Sequence, residues 1–211
     1  MIITDITDQK KNRGRMNLFI DGAFYASVSS FLVEKREVYI GKEVTCAELD
    51  KIIFDSDKAV AFDYVCWYLD RYPSTVRRLT DKLYSKGYSR SVVDYCIGRA
   101  SECKLLDDER YAFNYYDYRK SACGISRIAA ELRAKGIGKD IIARIIDADA
   151  QSDDNAFNCA MNLAYRHSAG QTIDMKYLAR LSRYLGSKGY NWDIIRRCVD
   201  CIRSNDEDTD R

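Results

Sequence analysis

Three stretches of the chain share one order of apolar, polar and glycine positions. In each stretch two apolar residues stand four apart, a Lys-Gly pair follows, an aromatic residue or isoleucine comes next, and a second apolar pair lies four residues further on. The copies begin at Leu79, Ile128 and Leu181, with offsets of 49 and 53 residues and no gap inside any copy. A match of this density indicates an internal repeat rather than coincidence.

Each copy predicts two helices joined by a tight corner. Leu79 and Leu83 mark one face of the first helix. The lysine suits the negative C-terminal end of that helix, and Gly87 can adopt the left-handed conformation that closes it. The residue after the glycine supplies the apolar contact of the cap. The second helix then begins, with Ser89 and Asn191 as expected N-caps in the first and third copies.

A further helical stretch precedes each pair, at about residues 58–71, 107–120 and 153–167. The second of these opens with Asp107-Asp108-Glu109, carboxylates that suit the positive start of a helix. A unit of three helices in about 50 residues buries little apolar surface alone, so neighbouring copies are expected to pack together. Pro73 is the single proline, as expected of long helical stretches. The predicted fold is mainly α, with three tandem three-helix repeats forming an elongated curved array.

Residues 1–56 follow a different pattern. Two alternating stretches, 16–20 and 23–28, flank Asp21-Gly22, a dipeptide typical of a β-hairpin turn. Residues 2–6 are expected to add a third strand across a basic loop at 10–15. Thr45 is expected to cap a short helix that ends near Phe54.

These patterns predict five segments along the chain. They are a small α+β module with a β-hairpin (1–56), three three-helix repeats (57–105, 106–150 and 151–204) and an acidic disordered tail (205–211).

The charge distribution changes this picture more than the net charge of +2 does. Residues 71–145 carry 16 basic and 9 acidic side chains, and residues 176–203 carry 7 and 2. If the repeats stack regularly, basic residues on their helices could form a stripe facing acidic protein or DNA phosphate, although each one alone could equally be an ordinary solvated side chain. The candidate partner-binding residues are Arg77, Arg78, Lys82, Arg127, Arg133, Arg180, Arg183, Arg196 and Arg197.

Sixteen tyrosines are present, several of them clustered between positions 111 and 118. Aromatic residues among basic ones can stack on unpaired bases. Tyr111, Tyr115 and Tyr118 fall at helical spacing, however, which favours packing in the core.

The sequence favours a binding protein over an enzyme. The adjacent carboxylates at 107–109 point around a helix start, so they cannot converge on one substrate. The single His167 has no evident nucleophile partner, and Gly136-Ile137-Gly138 lacks the context of a phosphate loop. Cys198 and Cys201 have metal-like spacing but no second pair, and the eight cysteines are expected to be thiols, with Cys66, Cys96 and Cys198 on apolar helical positions. No cofactor or metal is expected.

These features together resemble the RecX family. The second copy carries the resemblance most clearly, through residues 105–112 and through 131–137 with its Lys-Gly corner. Residues 67–74 lead into the first copy in the same way, and residues 185–190 and 192–197 match in the third. The resemblance covers residues 58–204, and the N-terminal module stands outside it as a departure.

The resemblance implies a protein of tandem three-helix repeats that binds RecA filaments on DNA and damps their recombinase and ATPase activities or promotes their disassembly. It brings no catalytic residues. The chain lacks a signal-peptide pattern and a long apolar run, so a cytoplasmic protein is expected. A monomer with only weak direct contact to DNA is expected as well. Two alternatives stay open. A direct DNA-binding helical protein would bind bare DNA tightly and with a steep salt dependence, whereas a helical scaffold for another protein would ignore both DNA and RecA.

Overall fold

The computed structural model describes residues 1–9, 12–150 and 153–209. The chain divides into two compact units, Met1–Leu106 and Asp107–Arg211. The elements of the first unit are β1 (Ile3–Gln9), β2 (Asn12–Ile20), β3 (Ala23–Ser29), α1 (Ser30–Lys35), α2 (Cys46–Arg71), α3 (Val76–Ser85) and α4 (Arg90–Glu102). Those of the second unit are α5 (Asp108–Arg119), α6 (Ile125–Ala134), α7 (Lys139–Ala150), α8 (Asp153–Ser168), α9 (Met175–Ser187) and α10 (Trp192–Thr209).

The three strands form an antiparallel sheet in the order β1-β2-β3, which confirms the predicted hairpin and the predicted third strand. Asp21 and Gly22 both have positive φ, 49° and 84°, as a two-residue type I′ turn requires. The basic loop is shorter than expected, because β2 already begins at Asn12. Residues 10 and 11 of that loop lie outside the described residues.

The expected break between a short helix ending near Phe54 and a second helix from 58 is wrong. Thr45 does cap the helix, in a capping box with Glu48, but α2 then runs unbroken to Arg71. The polar residues at its centre contact the N-terminal module instead of ending the helix. Ser56 is buried and its hydroxyl accepts the Ser29 amide at 2.7 Å, while Asp57 pairs with Arg15 at 2.7 Å.

One helix therefore serves two hydrophobic cores. Leu49 and Ile52, in its first half, pack against the sheet. Ala61, Val65 and Tyr68, in its second half, pack with α3 and α4. Helix α2 ends at Arg71, just before Pro73, because proline cannot continue a helix.

The three predicted copies are confirmed as three-helix units with separate cores. Each corner glycine is left-handed, with φ of 84° at Gly87, 86° at Gly136 and 88° at Gly189. In the first copy the Tyr88 amide donates to the Leu83 carbonyl and the Gly87 amide to the Tyr84 carbonyl, the paired bonds of a Schellman cap. The other two corners have the corresponding bonds.

The helix ends agree with the sequence in part. Asp107 and Asn191 cap their helices by accepting the amides of Arg110 and Ile194, both at 2.9 Å. Ser89 occupies the N-cap position of α4, but its side chain makes no capping bond. Helix α10 continues to Thr209, so the backbone is helical in most of the segment expected to be a disordered tail. The remainder of that segment, residues 210–211, lies outside the described residues.

Two expectations about core residues need adjustment. Cys96 and Cys198 are buried as expected, and burial raises the pKa of each thiol to about 11, whereas Cys66 is only partly buried. The expected core position of Tyr118 is wrong, since it is 78% exposed. Its neighbour Tyr116 is buried instead, because α5 turns that face towards α6 and α7.

The corner of the third copy packs on the start of α6 in the second. The amides of Gly124 and Ser126 donate to the carbonyls of Lys188 and Gly189, at 3.0 and 3.3 Å. These carbonyls take the place of a side-chain N-cap, which α6 lacks. The approach is so close that a Cβ on Gly124 would stand 2.3 Å from the Gly189 oxygen. Only glycine is compatible with this contact.

Candidate partner-binding surface

All nine basic residues proposed from the sequence are exposed. Within the described parts of the chain, five of them have no ion-pair partner and no side-chain hydrogen bond. These are Arg77, Arg78, Lys82, Arg133 and Arg196. Their charges are therefore available to an anionic partner, but their role as one continuous binding stripe stays a prediction.

The other four candidates contact other residues of the chain. Arg127 donates to Glu131 at 3.2 Å and to the Ser187 carbonyl at 3.4 Å. The remaining contacts are Arg180 with Gln171 and the Tyr177 ring, Arg183 with the Ala179 carbonyl, and Arg197 with the Phe157 ring. Arg127 thus holds the second copy to the third, which makes it a poor choice for testing partner binding by mutation.

The lysine of each Lys-Gly corner lies over a tyrosine ring. The Nζ atoms of Lys86, Lys135 and Lys188 stand 4.2, 5.0 and 5.3 Å from the ring centroids of Tyr64, Tyr115 and Tyr184. Such cation–π contacts are favourable even at exposed sites. The tyrosine belongs to the preceding helix in the first two copies and to the corner helix itself in the third, so the lysine–tyrosine contact recurs although its partner position does not.

One position of the repeat differs chemically in every copy. This position comes three residues after the first apolar residue of each copy. It is occupied by Lys82 in the first copy, Glu131 in the second and Tyr184 in the third. This position lies on the second helix of each unit, beside the aromatic residues of the preceding helix.

In the second copy Glu131 closes this surface. Its carboxylate accepts two bonds from Arg119, at 2.8 and 3.1 Å, one from the Tyr115 hydroxyl at 2.8 Å, and one from Arg127 at 3.2 Å. The Arg119 guanidinium, with the other two donors, lowers the pKa of Glu131 to about 2. The charges of Glu131, Arg119 and Arg127 and the Tyr115 hydroxyl therefore all have partners within the second copy.

In the third copy the aromatic ring of Tyr184 covers the equivalent surface. His167 stacks on it with centroids 4.5 Å apart and makes a 2.9 Å hydrogen bond to the Tyr177 hydroxyl through Nδ1. The single histidine therefore has a packing role.

In the first copy the equivalent surface is an open groove with a volume of about 360 Å³. It is called the aromatic groove and is lined by Tyr64, Trp67 and Tyr68 of α2, by Tyr72 at the C-cap of that helix, and by Arg78 and Lys82 of α3. Its two basic residues are among those predicted from the sequence, whereas its four aromatic residues are not. Their spacing along a helix, with Arg71 among them, was the pattern that could have revealed it.

Other classes of site find little support in the described residues. No group of three or more His, Cys, Asp and Glu side chains is placed to hold a metal ion within residues 1–9, 12–150 and 153–209. In the same ranges, no helix combines the length and apolarity needed to cross a bilayer.

Comparisons with known proteins cover almost the whole chain. The sequence model of the regulatory protein RecX N-terminal domain matches residues 1–45, and that of the second three-helix domain of RecX matches residues 107–145. The first match corrects the expectation that the N-terminal module is a departure from the family. The strands lie outside the repeat, so the repeat pattern alone does not predict that they belong to the family.

The relatives include the regulatory protein RecX of Clostridium tetani, which is 31% identical over 97% of this chain and 95% of its own length. The regulatory protein RecX of Bacillus subtilis is 29% identical over 99% of this chain and 80% of its own.

Two solved structures have the same fold. A crystal structure of a regulatory protein RecX matches 94% of this chain and 98% of its own with a TM-score of 0.65 at 22% identity. The crystal structure of RecX from Lactobacillus salivarius matches 68% and 95% with a TM-score of 0.63 at 20% identity. With the tandem three-helix copies, the N-terminal sheet and these near-full-length similarities together, the chain belongs to the RecX family of regulatory proteins.

Proposed function

We propose that this protein binds RecA filaments assembled on DNA and lowers their ATPase and strand-exchange activities. The observation that carries the proposal is the similarity to RecX regulatory proteins over 97% of the chain, because the family resemblance implies regulation of RecA. The relatives are named regulatory proteins, and binding rather than catalysis is proposed here as well. We expect a monomer that acts in the cytoplasm.

The proposed mechanism is physical bridging. A chain of three linked helical units can contact more than one subunit of a filament, and a bridge of this kind hinders the rearrangements that ATP turnover and strand exchange require. The unpaired cations on α3, α6 and α10 supply charges for acidic protein surface or for the DNA backbone.

The test is RecA ATP hydrolysis on single-stranded DNA, titrated with this protein. We expect inhibition at ratios well below one protein per RecA subunit. Hydrolysis that stays unchanged at equimolar protein would contradict the proposal. Tight, steeply salt-dependent binding to bare DNA combined with unchanged hydrolysis would favour the direct DNA-binding alternative.

A charge-reversal variant tests the binding face. The triple variant Arg77→Glu, Arg133→Glu and Arg196→Glu removes three unpaired cations, one from each copy, and is expected to weaken inhibition about tenfold or more. Its matched control reverses Lys51, Lys139 and Lys176, three other exposed lysines, and so makes the same change in net charge. Equal inhibition by both variants would overturn the assigned face but not the function.

A further inference from the structure

The aromatic groove contains partly exposed aromatic rings. Tyr64 and Trp67 stack with centroids 5.8 Å apart and planes 28° apart, and the rings of Tyr68 and Tyr72 stand 5.3 Å apart. Tyr68 is buried and packs in the core of the first copy, whereas Trp67 and Tyr72 are 48% and 49% exposed. These rings lie together in one patch beside a packed core, and an exposed aromatic patch of this kind is typical of an interaction site.

Cations surround these rings. The Arg71 guanidinium lies 4.8 Å from the Trp67 ring centroid, and Lys86 lies over Tyr64. Arg78 and Lys82 form the opposite wall and have no ion-pair partner among the described residues. Asp70 approaches Arg71 to 3.6 Å, but both side chains are largely exposed, so this pair leaves the positive balance of the groove in place.

The other two copies show that the repeat does not require this opening. A carboxylate network occupies the same position in the second copy, and a stacked tyrosine and histidine occupy it in the third. Only Lys82, of the three residues at this position, adds a cation to a surface that is already aromatic and basic.

We propose that the aromatic groove binds unstacked bases of a single-stranded nucleic acid, with the bases against the exposed parts of the Trp67 and Tyr72 rings and the phosphates beside Arg78 and Lys82. Every base offers a π-face, so this recognition needs no particular sequence. An acidic peptide would satisfy the cations but would bring no planar group to the exposed rings. The inference goes beyond the proposed function, because it requires no RecA.

The two tryptophans of the chain allow a direct test. Trp192→Phe leaves Trp67 as the only indole, and titration with a dT 15-mer is then expected to quench its fluorescence to saturation. A 15-mer of abasic sugar-phosphate units carries the same phosphates without bases, and it is expected to cause less than a fifth of that quenching. An rU 15-mer distinguishes RNA from DNA as the preferred source of bases.

Binding measured by the anisotropy of labelled dT 15-mer tests the individual side chains. Trp67→Ala and Tyr72→Ala are each expected to weaken binding at least about fivefold, as the loss of one base stack does. Lys82→Glu, which keeps every ring, is expected to weaken it to a similar degree. Trp192→Ala and Tyr118→Ala remove exposed rings elsewhere and serve as matched controls, with binding expected to stay within twofold of the parent.

Three outcomes would overturn the inference. The first is unchanged binding by the ring variants in proteins whose circular dichroism and Tm match the parent, and the second is equal binding of the abasic strand. The third is normal binding of the dT strand by variants that have lost inhibition of RecA, which would make the groove a protein contact. Lost strand binding with intact inhibition would support the groove independently of the proposed function.

Discussion

The first and second copies of the repeat have the same helices and the same corner, yet they treat the surface between their first two helices in opposite ways. In the second copy Glu131 gathers Arg119, Arg127 and Tyr115 into one closed network. In the first copy Lys82 stands at the same position and the surface remains open. The comparison teaches that a repeat can keep its fold while one side chain decides whether its surface serves packing or binding.

The two copies also differ in how the second helix begins. Helix α3 is capped by its own Thr75, which accepts the Arg78 amide at 3.2 Å. Helix α6 has Gly124 as its N-cap, and its start is covered by the carbonyls of the third copy's corner. The start of α3 is therefore stabilised locally, and the start of α6 depends on its neighbour.

The largest effect is expected from a substitution that breaks the contact between the second and third copies. Gly124→Ala places a Cβ against the Gly189 carbonyl and is expected to lower the free energy of unfolding by about 2–3 kcal/mol through overpacking. Gly98→Ala is the control, because its Cβ meets nothing within 4 Å in helix α4, and it is expected to raise stability by about 0.5–1 kcal/mol. Urea unfolding followed by circular dichroism measures both, and equal values for the two variants would contradict the close approach.

The next largest effect is expected from a substitution that removes the Glu131 network. Glu131→Gln is expected to lower the free energy of unfolding by about 2 kcal/mol at pH 7, because three charge-assisted or hydroxyl donors lose a carboxylate. Lys82→Gln, at the matching position of the first copy, is expected to change stability by less than about 0.5 kcal/mol. A large loss in Lys82→Gln would show that the first copy also depends on this position for packing.

The same network predicts a pH dependence. The pKa of Glu131 is lowered in the folded protein from 4.5 to about 2, so its contribution is fully present above pH 4.5 and is lost as the pH falls towards 2. Between these limits the stability of Glu131→Gln is expected to fall less steeply than that of the parent. Parallel curves from urea titrations at several pH values would contradict the assigned charge on Glu131.

The smallest effect concerns the local cap. Thr75→Ala is expected to cost about 1 kcal/mol, since an amide at the start of α3 loses its acceptor. Ser126→Ala, in the first turn of α6, is expected to cost less than about 0.5 kcal/mol, because backbone carbonyls of the third copy cover that helix start. Comparable losses in both variants would mean that the two helices begin in the same way.

The sequence predicted those parts of the fold that depend on local chemistry. The repeat, the Lys-Gly corners, the Asp21-Gly22 hairpin and the Thr45 cap each follow from residues close together in the chain. The continuity of α2 could not be predicted in this way, because Ser56 and Asp57 are polar residues whose partners, Ser29 and Arg15, are remote in sequence. From the hydrophobic pattern alone, polar residues in the middle of a helix are interpreted as the end of that helix.

The candidate site was predictable only in part. The charge distribution predicts the basic residues of α3, but nothing local distinguishes Arg78, which has no ion-pair partner among the described residues, from Arg127, which binds Glu131 and Ser187. The tyrosines that stand out in the sequence are those clustered at 111–118, whereas those of the groove are spread over about two turns at the end of α2. Their common face becomes evident only once the helix and its neighbour are placed.

The indole signals of ¹⁵N-labelled full-length protein test the open groove most directly. Only two such signals exist, from Trp67 in the groove and from Trp192 at the start of α10. On addition of a dT 15-mer, the Trp67 signal is expected to shift progressively to saturation while the Trp192 signal stays in place. A Trp67 signal that does not move, or equal shifts of both signals, would contradict an open base-binding groove in the first copy.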